Sequence, residues 1–395
     1  MRVALVYHDF HLEASLARGR VLLARGLVAE GLEVHCYCNP ETRGVEPNGV
    51  RFHDVRPTGR SEARLGQALE HGSFAWKATR LVREHRARYD IVDVLGTSAW
   101  EHDVVRAAAV PVSEQARWPE RGGQSVRAAR ARARLAHVLH PALGVARVTQ
   151  SRQFRPGCYS AVAAVSEEVS ADLQRVHRVP AERITVIAPP IEVPDGGNGN
   201  SVQLRRRLGL DERQHLVLFV GHDFERKGLD DAITAVAAAS PEAHLAVVGG
   251  GNEVPYRAAA DRCGAGDRIH FLGVTSEPHR YFGDADVFIL PTREEVWGTT
   301  VIEAMAAGVP VITTGVAGVA VEVERSGAGL VVENGSTTGL KDALVSLLET
   351  PARREEMGKR GLGAAGRYGQ AAHARAMIDI YTRVVDQRRR KIGAP

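Results

Sequence analysis

The chain has 395 residues, of which 44% are hydrophobic, and it carries a formal net charge of +4. That length is enough for two hydrophobic cores of ordinary domain size. The chain has no apolar run long enough to span a membrane, it starts with a strand-like segment at Met1–Tyr7, and its four cysteines lack the spacing of a zinc site. These features disfavour an integral membrane protein, a secreted protein and a zinc-dependent protein. We therefore expect a cytoplasmic protein, with any membrane contact made from the cytosolic face.

The first half of the chain alternates between short apolar segments and helical ones, which is typical of a doubly wound α/β sheet. Arg2–Tyr7 predicts a strand, the residues up to Glu30 a helix, and Glu33–Tyr37 a second strand. Further strands are predicted over Asp90–Leu95, Ala161–Val165 and Arg183–Ile187. The loop after the first strand, residues 8–16, has no Gly-x-Gly-x-x-Gly motif, so we expect no dinucleotide site there.

A polar run, Gly96–Asp103, follows the strand predicted over Asp90–Leu95. Open α/β sheets bind their ligands beyond the carboxyl ends of the strands. We therefore predict that His102 and Asp103 in this run contact a substrate. A polar loop with a helix cap near His102 is the alternative.

The segment from Arg121 to Arg155 contains eight arginines and neither Asp nor Glu. Arg127, Arg130 and Arg134 fall on one face of a predicted helix. Such a segment is typical of contact with an anionic membrane surface or an anionic acceptor, and a solvated helix face is the alternative. Few aromatic residues lie among the arginines, so we do not expect nucleic acid as a partner.

A second alternating part follows a Pro- and Gly-rich stretch at residues 188–200, which reads as a linker. We therefore predict a first domain over residues 1–190 and a second over 191–370. The strands predicted in the second domain are Leu216–Val220, Leu245–Val248, Ile269–Leu272, Val287–Leu290, Val311–Thr313 and Leu330–Val332. Their alternation with helical segments implies a parallel sheet.

The segment after Val287–Leu290 contains a polar loop with Glu295 and then a helix with Glu303. The amino end of a helix offers unpaired N–H groups that suit a phosphate, and Thr299 and Thr300 are placed to present them. Carboxylates on both sides would repel a phosphate, so we expect them to accept hydrogen bonds from hydroxyls instead. A nucleotide sugar has hydroxyls on both sides of its phosphates, so this arrangement indicates a nucleotide sugar as the ligand.

The Glu295-x7-Glu303 spacing, in the setting Glu-Val-Trp-Gly-Thr-Thr-Val-Ile-Glu-Ala-Met-Ala-Ala-Gly-Val-Pro-Val, resembles the signature of retaining glycosyltransferases of family 4 (group 1). The resemblance implies the GT-B fold: two Rossmann-like doubly wound α/β domains that face a cleft, with a final helix, here 371–390, that crosses back onto the first domain. It also implies that Glu295 contacts the donor sugar and Glu303 the ribose, and that backbone groups of Val274 bind the base. Gly298 is included in this expected donor site.

A second motif, Gly221-His-Asp-Phe-Glu-Arg-Lys-Gly228, follows the first strand of the second domain. In the resembled family such an Arg/Lys-Lys-Gly holds the pyrophosphate, which assigns that role to Arg226 and Lys227, with Gly221 beside them. Two cations offset the charge that develops as a nucleoside diphosphate leaves, a role that another fold gives to a metal. We therefore expect neither a metal nor another cofactor.

The resemblance implies a hexosyltransferase-type enzyme that moves a sugar, with retention, from a UDP-sugar or alternatively a GDP-sugar to a hydroxyl of a glycan, glycolipid or natural product. The chain as a whole resembles lipopolysaccharide-core glucosyltransferases, which carry a basic segment that faces anionic lipid. This likeness implies a peripheral membrane contact through residues 121–155. The alternatives are another GT-B enzyme, such as a sugar-nucleotide epimerase, and a non-catalytic protein that binds a sugar nucleotide or an anionic surface.

Overall fold

The structure is a computed structural model that describes residues 1–11, 15–59, 64–108, 141–193, 203–275 and 277–392. The chain divides into two units, one formed by Met1–Pro190 with Gln370–Pro395 and the other by Ile191–Gly369. Each unit has its own hydrophobic core, built on a parallel sheet.

In the first unit, the described residues form a seven-stranded sheet of order β3-β2-β1-β4-β5-β6-β7. Its strands are β1 Arg2–Val6, β2 Glu33–Cys38, β3 Val50–Asp54, β4 Ile91–Leu95, β5 Val104–Ala107, β6 Ala161–Ala164 and β7 Ile184–Val186. The α-helices described in this unit are Ser15–Ala29, Arg64–Glu84, Pro141–Gln153, Glu167–His177 and Gln370–Ile392. Val3 to Val6 of β1 are buried on both faces, as is usual for a central parallel strand covered by helices.

In the second unit, the described residues form a six-stranded sheet of order β10-β9-β8-β11-β12-β13. Its strands are β8 His215–Val220, β9 Ala243–Val248, β10 Ile269–Gly273, β11 Val287–Leu290, β12 Val311–Thr314 and β13 Gly329–Val332. The α-helices described here are Leu204–Arg207, Leu229–Ala239, Val254–Arg262, His279–Phe282, Thr299–Ala306, Ala320–Ser326, Thr337–Leu348 and Pro351–Ala365.

The strand order reverses once in each sheet, between β1 and β4 in the first unit and between β8 and β11 in the second. The loops that leave two such neighbouring strands run in opposite directions, so a crevice opens between them at the carboxyl ends. In the second unit these loops follow Val220 and Leu290, where the sequence places its two strongest motifs.

The C-terminal helix Gln370–Ile392 packs on helix Ser15–Ala29 within the first unit. Tyr381 donates a hydrogen bond to the fully buried Asp93, which also accepts from Arg106 Nε at 3.0 Å. Arg106 in turn donates to the hydroxyl of Tyr7. Because every member of this buried network has a partner, it stabilises the position of the helix on the sheet.

The predicted doubly wound α/β architecture is confirmed, and the predicted strands of the second unit agree with the observed ones to within two residues. The sequence did not predict strands β3 and β5 or helix Arg64–Glu84. Within the described parts of the chain, no helix combines the length and the apolar character that a membrane crossing requires. Residues 12–14 of the first loop and 121–140 of the basic segment lie outside the described residues.

Candidate active site

The two loops beside the reversal in the second sheet bring Arg226, Lys227 and Glu295 together. The Lys227 ammonium and the Glu295 carboxylate form an ion pair, with side chains that are only 11% and 15% exposed. Arg226 Nη1 lies 3.7 Å from the same carboxylate oxygen and donates to the carbonyl of Glu294 at 2.9 Å. Three side chains predicted from two separate motifs are therefore neighbours at the carboxyl ends of β8 and β11.

The charge of Lys227 depends on its surroundings. Burial away from water, and then the positive charge of Arg226, lower the pKa of the Lys227 ammonium to about 7. The carboxylate of Asp223 opposes this shift, and it also accepts a hydrogen bond from Arg226 Nε at 3.2 Å. Glu295, in direct contact with the ammonium, likewise favours its charged form. An added anion would act in the same direction, so this pair of cations suits a phosphate.

Gly228 allows the two loops to approach each other closely. Its backbone has φ +73°, and a Cβ at this position would collide with the carbonyl oxygen of Pro291. Only a glycine satisfies both conditions, because side chains rarely adopt that φ and none fits the space. The glycine that ends the Arg226-Lys227-Gly228 sequence therefore sets how near the two cations lie to the loop of Glu295.

Helix Thr299–Ala306 begins beside Glu295, and Gly298 is its N-cap residue. Gly298 has φ +108°, and no side chain caps the helix. The first N–H groups of a helix have no intrahelical acceptor, so those of Thr299 and Thr300 lie at the helix end that attracts anions. Glu303 lies one turn further on and is buried, at 6% exposure.

The main chain around Glu295 is fixed by the turn that follows β12. The Glu295 carbonyl accepts from the Gly318 N–H at 3.1 Å, and the Trp297 carbonyl accepts from the Val319 N–H at 2.8 Å. Both bonds come from residues outside the Glu295 loop, so the carboxylate is held by β11 on one side and by the β12 turn on the other.

Val274 follows β10 and has an exposed side chain. A Cβ on Gly250 would lie 2.9 Å from Val274 Cγ2, and the Gly250 N–H donates to His222 Nδ1 at 3.2 Å. Gly221, the first residue after β8, donates its N–H to the Val248 carbonyl at 2.9 Å. The residues after β8, β9 and β10 therefore form one continuous surface.

Two family models match most of the chain between them: "Glycosyltransferase Family 4" over residues 18–193 and "Glycosyl transferases group 1" over residues 201–363. A D-inositol 3-phosphate glycosyltransferase of Xylanimonas cellulosilytica is 28% identical over 93% of this chain and 91% of its own length. The lipopolysaccharide glucosyltransferase WaaG of Escherichia coli is 31% identical over 51% of this chain and 56% of its own length.

Solved structures show the same fold. A crystal structure of WaaG superposes with a TM-score of 0.78 at 22% identity and covers 96% of this chain and 99% of that one. The HepE protein of Anabaena, solved with UDP-glucose, gives a TM-score of 0.71 at 15% identity and covers 97% and 99%. Taken together, the two models identify the chain as a glycosyltransferase. Its two doubly wound units are the predicted GT-B fold.

His102 and Asp103 of this glycosyltransferase lie apart from the residues above, in the first unit. Strand β5 begins at Val104, so both residues are at the amino end of a strand, and the predicted position at a carboxyl end is wrong. Asp103 accepts from Arg86 at 2.9 Å and from the Val92 N–H at 2.8 Å. It also pairs with Arg388 of the C-terminal helix. Asp103 therefore has a structural role in this unit.

The His102 ring is packed into the same region. Its Nδ1 lies 2.9 Å from the Trp100 carbonyl, which can only accept, so Nδ1 carries the proton. Burial lowers the pKa of His102, which keeps the ring neutral. These contacts explain His102 by the packing of its own loop and give no reason to place a substrate beside it.

The sequence also contains Asp284-Ala285-Asp286, which has the form of a metal-binding Asp-x-Asp. Asp284 accepts the Leu204 N–H and Asp286 pairs with Arg205, both at the amino end of β11. Among the residues described in the glycosyltransferase, no group of three or more His, Cys, Asp or Glu side chains could hold a metal ion.

Sequence reasoning missed Arg293, which lies between the strand and Glu295. Its backbone N–H donates to the Arg226 carbonyl at 2.8 Å, and its guanidinium contacts the loop after β8. The only signal in the sequence is its position, three residues beyond the carboxyl end of a buried strand.

Proposed function

We propose that this glycosyltransferase uses a nucleoside-diphosphate sugar whose base is uracil, and that it transfers the sugar with retention and without a metal. The observation that carries this proposal is the contact of Lys227 with Glu295, with Arg226 beside both. The site combines cations for a diphosphate with a carboxylate for sugar hydroxyls. The cations offset the charge that grows on the leaving diphosphate, as a metal would in another fold.

Each residue of the site then has a defined part. Glu295 accepts hydrogen bonds from donor-sugar hydroxyls and Glu303 from the ribose, while the N–H groups of Thr299 and Thr300 bind the diphosphate. Gly298 and Gly221 leave room for the donor, and backbone groups of Val274 bind the base.

The reaction needs no general base from the protein. The bond between the anomeric carbon and the phosphate oxygen breaks while the bond to the acceptor oxygen forms on the same face. The acceptor proton passes to the departing phosphate, so the configuration at the anomeric carbon is kept. This role for the phosphate explains why we assign no histidine or carboxylate to proton transfer.

The acceptor in this proposal is a hydroxyl of a glycan, a glycolipid or a small natural product, reached in the cytoplasm. The basic segment 121–155 would bring the enzyme to an anionic membrane surface. The charge of that segment in the sequence supports this part of the proposal. Flotation with vesicles of phosphatidylglycerol and of phosphatidylcholine tests it, since only the anionic vesicles should retain the protein, and less so as salt increases.

Calorimetric titration with UDP, GDP and ADP, each with and without EDTA, tests the donor site. We expect UDP to bind tightest and EDTA to change nothing. Tighter binding of GDP or ADP would overturn the choice of base, and loss of binding in EDTA would overturn the metal-free proposal. If none of the three nucleotides binds, the chain is not the nucleotide-sugar enzyme proposed here.

A further inference from the structure

Arg293 connects the two loops of the candidate site through its side chain. Its Nη2 lies 2.6 Å from Asp230 Oδ1 and 2.6 Å from Asp231 Oδ2, and its Nη1 donates to the carbonyl of Glu225. The side chain of Arg293 is only 13% exposed. Arg293 is part of the loop after β11, whereas all three partners follow β8, so one side chain joins both sides of the reversal.

The main chain beside Arg293 reinforces the connection. Its N–H donates to the Arg226 carbonyl at 2.8 Å, and the Thr292 hydroxyl lies 3.2 Å from the same oxygen. Thr292 is itself held, because the Thr314 hydroxyl donates to its carbonyl at 2.5 Å. The backbone that carries Arg226 is therefore bound to the loop that carries Glu295.

The charges matter as well as the geometry. Asp230 and Asp231 occupy the first turn of helix Leu229–Ala239, directly after the Arg226-Lys227-Gly228 sequence. Two carboxylates in this place would repel a diphosphate, and Arg293 offsets their charge. A lysine could supply the charge but not the fork of donors that reaches three acceptors at once.

We propose that Arg293 is a positioning residue of the donor site, which fixes Arg226 and Lys227 against Glu295 and offsets the charge of Asp230 and Asp231. This inference rests on the proposed function, because its purpose is to prepare the two cations for a diphosphate. Arg293 acts through the two cations, and the inference requires no contact between Arg293 and the donor. A residue that merely stabilised the fold would alter stability and leave the folded fraction with its usual affinity.

The first test is Arg293→Met, compared with the triple variant Arg293→Met, Asp230→Asn, Asp231→Asn. The single variant should bind UDP about tenfold or more weakly, because loop geometry and local charge both change. The triple variant removes the excess negative charge, but it does not restore the bridge between the two loops. Affinity that stays within about threefold of the single variant supports positioning. Full recovery would show that Arg293 acts only through charge and would overturn the proposal.

The matched control is Arg205→Met in the same unit. Like Arg293, Arg205 contacts both backbone carbonyl and carboxylate groups: it donates to the carbonyls of Asp284 and Gln214 and pairs with Asp286, but at the amino end of the sheet. The Arg205→Met substitution should lower thermal stability without weakening UDP binding. If Arg293→Met does not fold, Arg293→Lys, which keeps the positive charge but cannot reach all three acceptors, should weaken UDP binding by a smaller factor. Unchanged affinity in either variant contradicts the proposal.

A readout without ligand separates this inference from the proposed function. The chain has few lysines, so the Lys227 ammonium can be titrated by NMR with labelled lysine. In Arg293→Met its midpoint should rise toward the ordinary lysine range, because a loosened loop admits water to the ammonium. If the midpoint rises but no nucleotide binds even to the unaltered chain, Arg293 positions the loop and the donor proposal fails. If the midpoint stays where it was, the positioning role fails.

Discussion

Lys227 and Glu295 lie 68 residues apart in the chain, and their charged groups are in direct contact. Each comes from the loop on its own side of the strand reversal in the second sheet. Two largely buried charges are costly unless they are paired, and here each supplies the partner of the other. A nucleoside-diphosphate sugar offers each of the two charged groups a new partner: phosphate for the ammonium and hydroxyls for the carboxylate.

Replacement of Lys227 tests the cation directly. In Lys227→Met the diphosphate loses a charge-assisted hydrogen bond and meets a Glu295 carboxylate that no ammonium offsets. We expect the affinity for UDP, measured by calorimetry, to fall about a hundredfold. Lys341→Met is the control, since Lys341 pairs with Asp342 on the surface of the same unit. An affinity within twofold of the unaltered chain would remove Lys227 from the donor site.

Glu295→Gln should separate binding from transfer. The amide keeps the shape of the side chain but removes the negative charge that accepts from sugar hydroxyls and neutralises Lys227. Transfer should fall by about a hundredfold or more, whereas UDP should bind as well as before or more tightly. Radiolabelled sugar transfer and calorimetry on the same preparation measure both. Undiminished transfer would exclude a role for this carboxylate in donor-sugar binding.

The lowered pKa of Lys227 predicts proton uptake when UDP binds. Below pH 7 the ammonium is already charged, so binding takes up no proton there. As the pH rises above 7 the unliganded group increasingly loses its proton, and the diphosphate favours the charged form, so binding recruits a proton. Affinity should therefore fall as the pH rises from 7 to 9. Titrations at pH 8.5 in two buffers of different ionisation enthalpy would report the uptake, which Lys227→Met should abolish.

The sequence predicts strands best where no polar residue interrupts them. Val287–Leu290 has the predicted bounds because a strand buried on both faces is uniformly apolar. Strand β5 was missed because it contains Arg106, whose charge is met by Asp93 of the neighbouring strand. That pairing exists only in three dimensions, and the missed strand is the reason for the misplaced His102 and Asp103.

The candidate site shows the same limit. Arg226, Lys227 and Glu295 are recognisable because they lie in motifs that resemble those of a known family. These motifs also follow strands whose carboxyl ends meet in a sheet of this order. Arg293 is not recognisable, because an arginine in a polar loop has no pattern of its own. Its partners Asp230 and Asp231 lie more than sixty residues away, and only the fold brings them within hydrogen-bond distance.

Gly228→Ala tests whether the close approach of the two loops is required. The reference is Gly264→Ala, since Gly264 has a similar φ of +66° but open space where its Cβ would lie. The reference should lose about 1 kcal/mol of unfolding free energy from backbone strain. Gly228→Ala adds a collision with Pro291 and should lose about 2–4 kcal/mol and weaken UDP binding. Equal losses in denaturant titrations would mean that the loops adjust freely.

Asp103→Asn distinguishes a structural carboxylate from a catalytic one. The asparagine leaves Arg86 and Arg388 without the charge that now pairs with both, and Arg388 is the contact that reaches the C-terminal helix. Because the two arginines lose the carboxylate that pairs with both, we expect the unfolding free energy to fall by about 3 kcal/mol. UDP affinity and turnover per folded molecule should not change. Lost turnover in a variant that melts at the usual temperature would restore Asp103 to the active site.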